Sequence, residues 1–139
     1  MNSPALNDAA RLVARVLLSL MFIMAGWSKI TGYAGTQGYM ASAGVPGALL
    51  PLVILTELGG GLAILLGWQT RVAAIALAGF SALAALLFHF DFGNQMQQLL
   101  FMKNLTIVGG FLALFAAGAG RYSIDGVTGS AASGKPALA

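Results

Sequence analysis

The chain has 139 residues, 58% of them hydrophobic and 8% charged, with a mean hydropathy of +0.85, whereas soluble domains carry about 25% charged residues. Seven Lys and Arg with four Asp and Glu cannot wet a globule of this size, which leaves the bilayer as the expected solvent. A net charge of +3 is too sparse for a phosphate-binding stripe, so no nucleic-acid partner is expected, and the lack of cysteine removes disulfides, thiolate nucleophiles and iron–sulfur ligation.

The polar start, Met1 to Asp8, lacks the charged n-region and cleavage site of a signal peptide and is expected to be retained. Four stretches then meet the roughly 20 apolar residues that a spanning helix requires: residues 13–30, 49–68, 72–90 and 99–117. None alternates with period two, so barrel strands are not expected. The sequence predicts an all-α integral membrane protein, an antiparallel four-helix bundle forming a single domain over residues 1–128. Between helices 1 and 2, Thr36 is placed to cap a short interfacial helix through Ala43, with Gly44 closing it and Pro46 as the stop. Gln69 and Thr70 make a tight turn between helices 2 and 3. From Gly129 to Ala139 the Gly/Ser/Ala-rich tail is expected to be disordered.

With four spans, Arg11, Arg15, Arg71, Arg121 and Lys135 fall on one side and Lys29 and Lys103 on the other. The positive-inside rule then puts both termini in the cytoplasm. Arg15 and Arg71 are expected to anchor to headgroups. Trp27, Tyr33, Tyr39, Phe88, Phe90, Phe92 and Phe101 form the outer aromatic belt, and Trp68 and Tyr122 mark the inner one.

Glu57 stands out. It lies about eight residues into helix 2, roughly 12 Å along the axis and near the midplane, where a carboxyl faces the bundle interior and takes a partner. It reads either as a proton relay and hydrogen-bonding group for a polar ligand head, or as a structural ion pair that sets helix register. Gly59, Gly60 and Gly61 follow after Leu58 and admit close helix packing or a flat ligand; Gly109, Ala113 and Ala117 form a second small-residue row. Lys29, His89, Lys103 and Asn104 lie at similar depth toward the outer side and are expected to converge over Glu57. His89 also reads as a hydrogen-bonded interfacial residue; its titration range suits proton exchange near neutral pH. A single histidine rules out a bis-histidine haem within one chain, and the scattered methionines read as packing, so no metal is expected.

These residues fall in segments that, as a set, resemble the DoxX family of small four-span bacterial membrane proteins: GWSKITGY (26–33), GTQGYMASAGVP (35–46), ELGGGLAILLGWQTR (57–71), FH (88–89), KNLTIVGGFLAL (103–114) and GRYSID (120–125). The resemblance spans about residues 11–126. It implies a bacterial inner-membrane protein, an oxidoreductase component working with a quinone. On that reading Glu57 and His89 are the catalytic candidates, and Lys29, Lys103, Asn104, Gly60 and Gly61 lie about the quinone. No flavin, haem or cluster motif is visible, so a redox partner or a diffusible reductant would supply electrons. The alternative is a non-enzymatic assembly or small-solute carrier protein in which Glu57 pairs with Lys29 or Lys103. A homo-oligomer packed through its Gly/Ala faces fits both.

Overall fold

The structure, a computed structural model, describes residues 3–133, and all regular structure among them is helical. Four helical stretches are long and apolar enough to cross a membrane: Pro4–Thr31, Gly47–Leu66, Thr70–Phe88 and Gln95–Ala117. Each was expected from its apolar run, but the helices do not stop where the apolar runs do.

Helix α1 (Pro4–Thr31) starts well before residue 13. The Ser3 hydroxyl accepts from the Leu6 N–H at 3.0 Å, and Pro4 sits where its missing N–H costs nothing. The polar first turns thus extend the helix beyond its apolar part. Helix α2 (Tyr33–Ser42) follows after Gly32, starting four residues earlier than a Thr36 cap would place it. Thr36 is instead inside the helix, and its hydroxyl donates back to the Gly32 carbonyl at 2.9 Å. The chain turns at Gly44, whose φ of +76° suits glycine.

The second span is not uniform. After a 3-10 turn at Gly47–Leu49 come α3 (Leu50–Ile54), a single π-helical turn at Leu55–Gly59, and α4 (Gly60–Leu66). Gly67, at φ +67°, ends it, and α5 (Thr70–Phe88) begins three residues beyond. Helix α6 (Gln95–Ala117) is capped by the Asn94 side chain, which accepts from the Met96 N–H at 3.0 Å and the Gln97 N–H at 3.3 Å. Helix α7 (Ile124–Ser133) takes in residues 129–133, the first part of the tail expected to be disordered. Residues 134–139 of that tail lie outside the described residues.

The core lies where α1, α4, α5 and α6 meet: Phe22, Ile64, Leu77 and Phe111 are buried, and the Phe22 and Phe111 rings meet edge-on at 5.4 Å. Of the glycines beyond Glu57, Gly60 and Gly61 close these contacts rather than open a slot. A side chain at Gly60 would meet Leu77 of α5 at 3.0 Å, and one at Gly61 would meet Ile23 of α1 at 3.0 Å. Their placement beside a quinone is therefore corrected: they are packing residues. Gly109, Ala113 and Ala117 are exposed on α6 and take no part in this core.

Arg15 also departs from expectation. It is 1% exposed, not at a headgroup, and its Nη2 donates to the Tyr122 carbonyl at 2.6 Å. The Tyr122 segment folds back because glycines at 118 and 120 take φ values of +77° and +82°. Asp125 then accepts from the Gln69 and Thr70 N–H groups at 2.9 and 2.8 Å, capping α5 from a distance of more than fifty residues. Arg71 is exposed, and its Nε donates to the Phe115 carbonyl at 3.0 Å.

Candidate functional site

Glu57 is the eleventh residue of the second span and lies within its π turn. Such a turn holds one residue more than an α-turn, which re-aims the side chains it carries, and it recurs at functional sites. Here it leaves Glu57 buried. Lys29, in the last turn of α1, reaches it: Nζ lies 3.0 Å from both Oε1 and Oε2. The carboxylate side chain is 6% exposed and the lysine side chain 26%. The pair is therefore open on the lysine side only.

The pair forms part of the wall of a mostly apolar cavity of about 450 Å³, within the size range of small-molecule sites. Its aliphatic and aromatic lining includes Leu52, Val53, Phe80 and Leu87, with Tyr39 and Phe88 stacked at 5.3 Å and nearly parallel. Thr56, Ser81, His89 and Asn104 supply further polar groups. His89 caps the end of α5, and its Nδ1 pairs with Gln97 Oε1 at 2.7 Å, so that bond takes the Nδ1 proton and leaves Nε2 to other partners. Asn104 Nδ2 donates to the Leu100 carbonyl at 3.0 Å, leaving its Oδ1 and a second N–H.

Of the residues expected to converge, Lys29, Glu57, His89 and Asn104 all line one cavity. Lys103 does not join them: it is exposed and outside the lining. Depth alone misled here, because successive helix residues are rotated by about 100°; Asn104 turns inward and its neighbour turns outward. Ser81 was overlooked, since a lone serine in an apolar run carries no spacing signal. Among the described residues, no group of three or more His, Asp or Glu is placed to hold a metal.

Four helices that can cross a membrane, enclosing a buried acid–base pair, define a multi-span membrane protein. The chain belongs to the DoxX family, whose model matches residues 10–90. It is 61% identical over 120 residues to the inner membrane protein YqjF of Escherichia coli (strain K12), which covers 86% of this chain and 92% of that one. It is 34% identical to the inner membrane protein YphA of the same organism, over 82% of this chain and 86% of that one. A third relative, CatD of Bacillus subtilis (strain 168), is provisionally named an oxidoreductase; it is 31% identical over 51% of this chain and 53% of its own length. No solved structure matches the chain significantly.

Proposed function

We propose that this protein is a redox component of the bacterial inner membrane that takes the head of a quinone into the cavity beside Lys29 and Glu57. The observation that carries this reading is a carboxylate–ammonium pair set in the wall of an apolar cavity, where most of a ligand would meet hydrocarbon and its head would meet hydrogen bonds. The oxidoreductase name given to the relative CatD agrees with it. We read the spans as an antiparallel bundle with both termini cytoplasmic and α2 at the outer interface. Gly60 and Leu77 touch at equal sequence distance from the Gly67 and Thr70 helix ends, as antiparallel neighbours do, and the Lys and Arg counts favour that orientation.

The residues present fit such a head. A bound quinone supplies two-electron, two-proton chemistry. Lys29 has a third N–H beyond the two directed at Glu57, and Asn104 has a spare N–H; both can donate to a ring oxygen and stabilise negative charge there. Glu57 can hold a proton at either carboxylate oxygen, and taking one up frees Lys29 from the pair. His89 Nε2 faces no partner in the hydrogen bond that fixes its ring and can pass a proton at the outer end. The electrons come from a redox partner protein or a diffusible reductant.

The test is direct binding. Purified protein in lipid nanodiscs, titrated with a decyl-tailed benzoquinone and followed by tryptophan fluorescence, is expected to show saturable quenching that Lys29→Met weakens about tenfold or more. Absence of saturable binding overturns the reading. The complete Lys29–Glu57 pairing favours a second reading, in which the pair is a structural cross-link of a scaffold or solute carrier; on that reading Glu57→Gln lowers thermal stability and no quinone signal exists to change.

A further inference from the structure

The cavity contains one polar group that neither the helix nor its neighbours use. Ser81 is 1% exposed, lines the cavity, and its Oγ has no hydrogen-bond partner among the described residues. A hydroxyl inside a helix ordinarily folds back onto a carbonyl three or four residues earlier, and others in this chain do so. Ser19 bonds the Val16 carbonyl at 3.1 Å, Thr56 that of Leu52 at 2.8 Å, and Thr106 that of Met102 at 3.0 Å.

Helix register places Ser81 at the level of the ion pair. Gly60 abuts Leu77; one turn further along α5 is Ser81, and one turn earlier in the second span are Thr56 and Glu57. Ser81 therefore lies at the depth of Glu57, in the α5 wall of the same cavity. His89 is eight residues beyond it, roughly 12 Å along the axis, so Ser81 belongs to the inner part of the cavity and not to its outer end. Beside it, Phe80 and Phe22 meet at 6.4 Å edge to face.

The charges settle the class of guest that matches. Glu57 and Lys29 neutralise one another, Ser81, Thr56 and Asn104 are uncharged, and the His89 Nδ1 is committed to Gln97. A carboxylate, phosphate or ammonium in this cavity would lack a free counter-charge in a medium where that is costly. We infer that Ser81 is a specificity-determining contact, and that the ligand is an uncharged ring bearing two separate oxygen functions, one held at Lys29 and the other at Ser81. The inference rests on the quinone reading and specifies what part of the head the inner wall recognises.

The test uses whole protein in nanodiscs and three probes: decylhydroquinone, decylphenol (which lacks one ring oxygen), and decanoate as an anion. Wild-type protein is expected to bind the hydroquinone about tenfold more tightly than the phenol, because a site built to hydrogen-bond an oxygen discriminates against its absence, and to bind decanoate weakest. Ser81→Ala is expected to bind both rings equally, and Ser81→Thr to restore part of the preference. Melting temperature without probe serves as a fold control; removing an unpartnered hydroxyl is expected to leave it unchanged or raised, so a lost preference reports recognition. If Ser81→Ala keeps the wild-type preference, the role of Ser81 is overturned while the quinone reading stands. If decanoate binds best, the neutral-ligand claim is overturned. If wild-type protein binds neither ring, both this inference and the quinone reading fail.

Discussion

Arg15 and Tyr122, separated by 107 residues, are joined by a 2.6 Å hydrogen bond from the buried guanidinium Nη2 to the backbone carbonyl. With the Asp125 cap on α5, this ties the segment after the fourth span to the first and third. Removing the guanidinium leaves the Tyr122 carbonyl without its donor and a gap in a tightly packed place. Arg15→Met is therefore expected to lower stability in detergent by about 2 kcal/mol, read as a lower melting temperature, with the four spans retained by circular dichroism.

Asp125 makes the same tie pH-dependent. Burial alone would raise its carboxyl, but hydrogen bonds from Thr70 and from the Gln69 N–H, with the Arg15 guanidinium nearby, outweigh this and hold it below its ordinary value of 3.8. A carboxyl whose folded value is depressed adds stability above the unfolded value and loses it as pH falls through the folded one. Asp125→Asn, which keeps one of the two acceptor oxygens but not the charge, should thus melt earlier than wild type at pH 7, by about 1 kcal/mol. The two should converge as the pH drops below about 3.8. A gap that persists at the acid end would show that charge is not what Asp125 contributes.

Gly67 and Gly109 make opposite forecasts. At Gly67, φ is +67° and a side chain would run into the Arg15 guanidinium and Ser123, so Gly67→Ala is expected to cost about 2 kcal/mol or more. Gly109 has nothing within 4 Å, and Gly109→Ala should be neutral or stabilising by up to about 1 kcal/mol from helix propensity. Thermal melts of the two variants side by side check both.

The Lys29–Glu57 pair should show strong coupling. Glu57→Gln strands a lysine and Lys29→Met strands a carboxylate, each expected to cost about 2 kcal/mol. The double variant leaves no orphaned charge and should recover a large part of that loss. Additive losses in the cycle would mean the two groups do not depend on one another.

Lys103 provides a control for the site itself. Because it is exposed and outside the cavity lining, Lys103→Met is expected to leave binding of a decyl-tailed benzoquinone unchanged while Lys29→Met weakens it. Equal losses would mean that Lys103 reaches the ligand and that the lining is wrongly assigned.

The four spans were legible because hydrocarbon thickness sets a length that an apolar run must meet. Their ends were less so: hydropathy reports which residues suit lipid, whereas α1 continues through Asn7, Asp8 and Arg11 because polar residues also sustain a helix once capped. Glu57 was legible as a carboxyl in an apolar run, and Lys29 as a basic residue at matching depth. Arg15 was misread because its partner is a backbone carbonyl delivered by a fold-back in the GRYSID segment, whose glycines signal a turn without saying where it leads. The wide turn at Leu55–Gly59 has no sequence signature that periodicity could reveal.

That wide turn sets the two halves of the second span out of phase. One additional residue in a turn offsets everything beyond it by about 100° around the axis, so Leu52 and Val53 face the cavity while Gly60 and Gly61 seat the same rod against α5 and α1. Deleting a single residue there would regularise the winding and slide these two surfaces into each other's azimuth, stripping the chamber of its wall without shortening the span enough to expel it from the bilayer.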